Sequence, residues 1–257
     1  MNRADTEEQR SVAASASAHG EARMQAINRQ FYEPLWNDAR LVMPDRFNTW
    51  PLVSSLVGGA QARLEIAPGL RPRLPLAGTQ FIDFSAAAVR KLQSHGAQAS
   101  VGRITALPFS SGCFGLVCAF DIVEHVDDDD LALAEIARVC APGATLLLSA
   151  PLHSSQWTAF DDFVGHRRRY EPEALLGKLA SHGFHLERSA IFGMQPRSSW
   201  LLDLGLWFLT HRRRRAMWVY NHLLMPLGLR FQKPLELVAG LPDTAGVDEV
   251  LMVCRKY

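Results

Sequence analysis

The chain has 257 residues, enough for one sizeable α/β domain or two small ones. Hydrophobic residues make up 48% and charged residues 21%, which excludes a disordered chain, and a net charge of +1 gives no general case for nucleic-acid binding. No signal-peptide pattern and no run of 18 apolar residues occurs, so we expect a cytoplasmic protein. The four cysteines form no CxxC pair and no metal-like cluster, so we predict reduced thiols and no metal site.

The N-terminal part of the chain divides into a tail and a helical segment. Residues 1–20 are rich in Ala, Ser and charge and predict a flexible tail. Residues 21–58 carry recurring aromatic and aliphatic residues that Pro34, Pro44 and Pro51 divide into short helices. We call residues 21–58 the preface. Two interpretations stay open: it packs on the main sheet, or it also covers a ligand site.

A regular alternation of strands and helices begins after the preface. Strand-like runs occupy 62–67, 80–84, 97–102, 115–120, 144–149, 184–192 and 247–255. Helix-like segments occupy 85–95, 129–140 and 171–182. This alternation predicts a parallel, doubly wound sheet within a domain of residues 59–257.

Residues 193–246 interrupt the domain before its last strand. They contain "WLLDLGLWFLTHRRRRAMWVYNHLLMPLGL", in which a basic run separates two apolar stretches. Neither stretch is long enough to span a bilayer. We predict a helical insertion, here called the cap, with contact between residues 200–230 and a membrane surface as the alternative. The basic run lacks interleaved aromatic residues, so no nucleic-acid partner is predicted.

Several short motifs follow one another at regular spacing along the domain: LEIAPG at 64–69, Asp83, ITALPF at 104–109, FGLVCAFDIVEHV at 114–126 and EIARVCAPGATLLLSAPLH at 135–153. In this order they resemble the class I S-adenosylmethionine-dependent methyltransferases, especially the small-molecule branch that includes the ubiquinone-biosynthesis-type enzymes. The resemblance covers about residues 60–190. It implies a Rossmann-like, seven-stranded sheet whose last strand, 247–255, is antiparallel.

The resemblance also implies a site for S-adenosylmethionine. Glu65 and the turn after it would face the methionyl part, and Asp83 would bind the ribose hydroxyls. A helix N-cap is the alternative role for Asp83, although Ser85 suits that role better. Segment 104–107 would line the adenine, with Arg103 replacing the family's acid. The predicted cofactor-binding residues are Glu65, Ala67, Pro68, Gly69, Arg71, Asp83, Phe84, Ser85, Ile104, Thr105, Leu107, Phe120, Asp121 and His125.

The first motif departs from the family pattern E-x-G-x-G-x-G, because only the middle glycine, Gly69, survives. Asp83 follows Gly69 by 14 residues, whereas about 20 is usual between a Gly-rich turn and its acid. Prolines in this segment disfavour a helix. Arg71 or Arg73 could replace the missing helix end in binding the cofactor's carboxylate. Two solvated arginines in a loop are the alternative.

Methyl transfer requires in-line approach of the acceptor to the sulfonium methyl group, with a base where the acceptor must lose a proton. The predicted catalytic residues are His153, His166, His125 and Tyr170. His153, directly after the fifth strand, is the best candidate for a base. The stretch DDFVGHRRRYEP at 161–172 resembles one found in related methyltransferases, in which His166, Arg169 and Tyr170 would orient the substrate. A solvated loop that caps the next helix is the alternative.

We therefore predict a methyltransferase for a small, partly apolar acceptor, with oxygen ahead of carbon and nitrogen. One rival is a non-catalytic binding protein that kept the fold. Another is a peripheral-membrane methyltransferase for a lipid or quinone. A nicotinamide-dependent oxidoreductase is disfavoured because no G-x-G-x-x-G follows the first strand. The sequence leaves the oligomeric state open.

Overall fold

A computed structural model describes residue 23 and residues 25–59, 62–193 and 199–257, with only the backbone described at 199–203 and 206. The predicted tail at 1–20 lies outside these residues. The described strands are β1 (Arg63–Ile66), β2 (Thr79–Asp83), β3 (Gln98–Val101), β4 (Phe114–Phe120), β5 (Cys140–Pro151), β6 (Phe184–Phe192), β7 (Val238–Ala239) and β8 (Glu249–Lys256).

These strands form a single sheet in the order β3-β2-β1-β4-β5-β8-β6-β7. The pairs from β3 to β5 are parallel, whereas β8 lies antiparallel between β5 and β6. The predicted doubly wound sheet with an antiparallel last strand is confirmed. The sheet has eight strands instead of seven, because the two-residue β7 pairs with the edge of β6.

The described helices are α1 (Glu33–Asp38), α2 (Trp50–Val57), α3 (Ala86–Ser94), α4 (Asp129–Val139), α5 (Ala159–Val164), α6 (Pro172–Ser181), α7 (Ser199–His211), α8 (Arg213–Val219) and α9 (Met225–Arg230). Short π-helical turns precede α1 and α9, at Asn28–Tyr32 and Tyr220–Leu224. The helices expected at 85–95, 129–140 and 171–182 are confirmed within two residues. Ser85 caps α3 by accepting a hydrogen bond from the Ala88 N–H, as its side chain predicted.

The crossover from β1 to β2 contains no helix in residues 67–78, all of which are described. Apolar side chains hold this loop in place. Leu70 and Leu76 pack with Phe81 and with residues of α1 and α3. Leu74 packs with Leu52 and Val53 of α2. The loop is therefore a packed part of the core, although the prolines prevent the usual helix.

The carboxyl ends of the parallel strands meet at one edge of the sheet, which is where α/β folds bind their ligands. Most of β4 and β5 is buried, and the largest core cluster lies around them. Segments that follow β1, β2, β4 and β5 therefore face a common space, and the preface and the cap lie beside it.

Candidate functional site

The preface and the cap contact each other and the loops at this edge of the sheet. Glu33 accepts hydrogen bonds from the Ala87 N–H and the Ser85 hydroxyl, which joins the preface to the end of β2. Arg213 lies 3.4 Å from Asp38, so the cap is joined to the preface. Tyr32 is partly buried, and its hydroxyl donates to the Val164 carbonyl at 3.1 Å. These contacts join the preface and the cap to the loops at this edge of the sheet.

Glu65, at the end of β1, is almost completely buried and binds its own loop. Its carboxylate accepts hydrogen bonds from the backbone N–H groups of Arg73 and Leu74 at 2.8–3.0 Å. Burial raises the pKa of Glu65 to about 7, although these two amides oppose the shift. The structure therefore gives Glu65 a loop-fixing role, where the resemblance implied contact with the methionyl group.

Asp83, at the end of β2, accepts hydrogen bonds from the Gly69 and Ser85 N–H groups, both at 2.8 Å. Burial raises the pKa of Asp83 to about 6, against the effect of these amides. Each carboxylate oxygen can accept a second hydrogen bond, so Asp83 keeps acceptor capacity for a ribose hydroxyl. The two hydrogen bonds from backbone N–H groups fix the orientation of the carboxylate, and with it the direction of its remaining acceptor positions.

Gly69 lies in the left-handed region, with φ at +55°. A Cβ atom here would lie 2.3 Å from Trp36 of the preface, so only glycine fits beneath the indole. The single surviving glycine of the first motif therefore permits close approach of the preface as well as of a cofactor.

Arg71 and Arg73 point toward the acids of the site. The Arg71 guanidinium hydrogen bonds the Tyr220 hydroxyl of the cap, and its pKa is lowered to about 10 by burial and by Arg73. The Arg73 guanidinium lies 3.8 Å from the centre of the Phe47 ring. Neither is an arginine in open solvent.

The end of β4 carries a second acidic group. Asp121 adopts φ +50°, donates its backbone N–H to Ser149 and accepts the Ser149 hydroxyl at 2.6 Å. Glu249, at the start of β8, is buried, and its pKa is raised by burial and by the negative charge of Asp121. Phe120, predicted to lie near the sulfonium, packs edge-on against Phe192. Asp121 remains exposed toward the shared space.

The segment after β3 is held by α4. Ile104 and Leu107 are buried as an adenine-lining segment would require. However, the Leu107 N–H donates to Glu135 at 2.7 Å, and Arg138 donates to the carbonyls of Leu107 and Phe109. The acid and base of the "EI.RV" motif thus anchor this loop, a role that sequence reasoning missed. The Leu107 amide is therefore engaged within the protein.

Two predicted catalytic residues have structural partners. His153 Nε2 lies 2.7 Å from the Thr244 carbonyl, and Nδ1 lies 3.6 Å from Glu171. The Tyr170 hydroxyl donates to Asp129 at 2.9 Å and is buried. Because its ring is held on both sides, His153 is not the base that its sequence position suggested.

The predicted substrate-orienting role of Arg169 is also corrected. Its guanidinium is buried and pairs with Asp161 and Asp248. Arg167 pairs with Asp127 in the loop after β4, and Arg168 pairs with Asp129 at the start of α4. The arginines of "HRRRY" therefore join two chain segments by ion pairs, and the alternative of a solvated loop is likewise wrong.

Two predicted site residues and one residue that was not predicted lie together beside the end of β4. We call Glu124, His125 and His166 the Glu–His–His cluster; one side-chain atom from each lies within 4.8 Å of the others, and all three residues are buried. His166 Nδ1 lies 2.7 Å from Asp161. His125 and His166 were predicted as site residues, but Glu124 was missed. The adjacent Glu124–His125 pair was the sequence signal that could have identified Glu124.

Burial affects the cluster strongly. It raises the pKa of Glu124 well above its ordinary value, with Asp121 adding to the shift. It lowers the pKa of His125 to about 3, with His166 contributing. For Asp161, burial opposes ionisation, but hydrogen bonds from His166 and Arg169 outweigh it and lower the pKa. The cluster thus combines neutral imidazole with a carboxyl group in a low-dielectric site.

Comparison with known proteins bears on the class of the domain. Residues 73–148 match the family model described as a methyltransferase domain. A 53-residue segment is 38% identical to norajmaline N-methyltransferase of Rauvolfia serpentina; it covers 21% of this chain and 18% of that protein. The match thus spans less than a fifth of the curated relative.

Solved structures share the fold over most of the chain. A possible histamine N-methyltransferase of Thermotoga maritima aligns with a TM-score of 0.59 at 14% identity, covering 91% of this chain and all of that one. A putative sarcosine dimethylglycine methyltransferase of Galdieria sulphuraria aligns at 0.54 and 12%, covering 91% and 98%. The fold is that of the class I S-adenosylmethionine-dependent methyltransferases. With the domain match, it supports S-adenosylmethionine as the cofactor.

None of the described helices is both long enough and apolar enough to cross a bilayer.

Proposed function

We propose that this protein transfers a methyl group from S-adenosylmethionine to an oxygen atom of a small, partly apolar acceptor. The observation that carries the proposal is the position of the Glu–His–His cluster directly after β4, beside Asp121. Buried carboxyl and imidazole groups are suited to binding a hydroxyl group and removing its proton. The aromatic rings of Tyr32 and Phe160 beside the two histidines favour an apolar acceptor body.

The cofactor would lie across the ends of β1, β2 and β4. Asp83 would accept the ribose hydroxyls, and Asp121 would accept the methionyl ammonium group. Arg71 and Arg73 would meet its carboxylate, in place of a helix N-terminus. The acceptor oxygen would then attack the methyl carbon: the O–C bond forms, the C–S bond breaks, the neutral thioether leaves, and the hydroxyl proton leaves by way of the cluster.

Two measurements test this proposal. Calorimetry with S-adenosylhomocysteine is expected to give one site per chain, and the absence of binding at millimolar ligand would favour a non-catalytic protein with the same fold. A transfer assay should compare phenols with the matching anilines and thiophenols, using methyl-labelled cofactor. We expect labelled phenol ethers. Transfer only to the anilines would replace oxygen with nitrogen, the acceptor atom in the names of two of the proteins compared above.

The surface of the cap favours a second candidate, a methyltransferase that acts at a membrane surface on a lipid or quinone. Large apolar side chains are exposed there, among them Trp218 at 62% and Phe231 at 75%. Exposed residues Arg212, Arg214 and Arg215 lie in the same helical segment. Exposed aromatic and basic residues on one surface are typical of proteins that bind anionic lipid.

Co-sedimentation of the full chain with vesicles tests the second candidate. Binding should be stronger to vesicles containing phosphatidylserine than to phosphatidylcholine vesicles. It should fall for Trp218→Ala with Phe231→Ala, and for a triple Ala variant at Arg212, Arg214 and Arg215. Arg213 is left intact because it pairs with Asp38. Tyr257→Ala, equally exposed at the C-terminus, is the control; no preference for anionic lipid would contradict this candidate.

A further inference from the structure

Glu124, His125 and His166 converge from two segments that are far apart in sequence. Glu124 and His125 belong to the turn Val123–His125, directly after β4. His166 follows Gly165, whose φ of +84° ends α5 and turns the chain toward that turn. His166 Nε2 lies 3.8 Å from Glu124 Oε1. The convergence therefore depends on the tertiary fold and not on local sequence.

The carboxylate of Glu124 has no hydrogen-bond partner on either oxygen in the described structure, although the side chain is fully buried. Burying a carboxylate without partners costs several kcal/mol, so such a group in a folded protein indicates a ligand that completes it. Both Glu124 and the free face of His166 point into the same small space.

The rings of the two histidines pack edge-on against each other, with centroids 4.6 Å apart. The His166 imidazole also has an outer partner that fixes its orientation. His166 Nδ1 is held by Asp161, which is itself held by Arg169 and Thr158. In proteins, metal-binding histidines almost always make such an outer hydrogen bond, which leaves the other ring nitrogen free as the ligand.

We propose that Glu124, His125 and His166 bind a divalent cation of the zinc class. Two imidazole nitrogens and one carboxylate oxygen form a ligand set that catalytic zinc sites use, with the fourth position open. Ligand atoms around tetrahedral zinc lie about 3.3 Å apart. The present separations of 3.8–4.8 Å require only side-chain adjustment to reach that value.

The cation would take the acceptor's oxygen in its open position and favour its ionised form. This role rests on the proposed function, whereas the cation site itself rests on the ligand geometry. The proposed site departs from the prediction of no metal site, which was drawn from the cysteines alone. Its ligands are two histidines and a glutamate, and none of them is a cysteine.

Cobalt(II) titration of the chelator-treated full chain, followed by visible absorption, tests the site. We expect one cobalt per chain with the spectrum of a low-symmetry N,O site, and displacement by zinc. Glu124→Gln and His166→Gln should each weaken binding at least 100-fold, and Asp161→Asn, which keeps all three ligands, should weaken it 10- to 100-fold. His95→Gln, at an exposed histidine directly after α3, is the matched control and should bind as the parent does.

Two results would overturn the site: no stoichiometric cobalt, or binding that Glu124→Gln, His166→Gln and Asp161→Asn all retain. If Glu124→Gln does not fold, His166→Gln and Asp161→Asn decide the question. S-adenosylhomocysteine calorimetry separates this inference from the proposed function, because cation binding without cofactor binding would refute the function and keep the site. Transfer that continues at full rate in chelator would refute the catalytic role of the cation.

Discussion

The buried acids on the two sides of the site differ in how they are satisfied. On the cofactor side, Glu65 and Asp83 each accept two or more hydrogen bonds from backbone amides. On the acceptor side, Glu124 is equally buried and accepts none in the described structure. Burial raises the pKa of all three, but only the first two have their cost offset by the chain itself.

This difference distinguishes two acids whose hydrogen bonds stabilise the site from a third acid that we expect to bind a ligand. A backbone amide is present whenever the loop is folded, so Glu65 and Asp83 stabilise the β1–β2 crossover that replaces the usual helix. Glu124 gains nothing comparable from folding. An uncompensated buried carboxyl group is the kind of local cost that proteins retain at functional sites.

Among the variants that test this difference, the largest loss in the free energy of unfolding is expected for Glu65→Ala. The substitution leaves the buried amides of Arg73 and Leu74 without acceptors, and each such amide costs about 1–3 kcal/mol. We expect the free energy of unfolding to fall by about 3 kcal/mol, measured by urea denaturation. Glu236→Ala, at an exposed residue, is the control. A loss below about 1 kcal/mol would show that Glu65 does not hold the loop.

Sequence reasoning located Glu65 and Asp83 because apolar strands that end in an acid are visible as a local pattern. It could not identify their partners, because the amides that reach them depend on a loop with left-handed backbone at Ala67 and Gly69. The strands and helices were predicted within a few residues for the same local reason. The absence of a helix between β1 and β2 also followed locally, from its prolines.

The acceptor side was predicted less well. His166 was predicted from a motif and His125 from its position after the fourth strand. Their proximity to Glu124 could not be predicted, because it requires two segments distant in sequence to pack together. Likewise, Arg169 and His153 were predicted from their positions, but their partners Asp248 and Thr244 come from the far end of the chain. Contacts of this kind are set by tertiary structure, which one sequence does not display.

The second prediction concerns pH. The pKa of Glu65 is about 7 and that of Asp83 about 6, against 4.5 and 3.8 for the free side chains. An acid whose pKa is higher in the folded state binds more protons there between the two values, so stability falls as the pH rises through that range. We expect a loss of about 2 kcal/mol from these two acids between pH 5 and 7. Urea denaturation across this range should show a shallower slope for Glu65→Gln with Asp83→Asn; an unchanged slope would contradict the raised values.

The third prediction concerns the arginines of the same loop. If Arg71 binds the cofactor's carboxylate, Arg71→Met should weaken S-adenosylhomocysteine binding about tenfold, equivalent to about 1.4 kcal/mol. Methionine keeps the apolar contact with the Tyr220 ring, so the loss reports the charge. Arg214→Met, at an exposed arginine of the cap, is the matched control in calorimetry. If Arg71→Met and Arg73→Met together leave the affinity unchanged, the arginines do not replace the missing helix end.

The smallest effect is expected for Glu124→Gln. This variant can contradict the distinction between Glu124 and the two acids that accept backbone hydrogen bonds. Glutamine keeps the size of the side chain and removes a carboxyl group whose burial nothing in the described structure offsets, while its amide still lacks partners. These contributions oppose each other, so the free energy of unfolding in chelator should change by no more than about 0.5 kcal/mol. The same denaturation protocol as for Glu65→Ala provides the contrast. A loss of about 2 kcal/mol or more would make Glu124 a structural acid like Glu65, and the distinction between the two sides of the site would disappear.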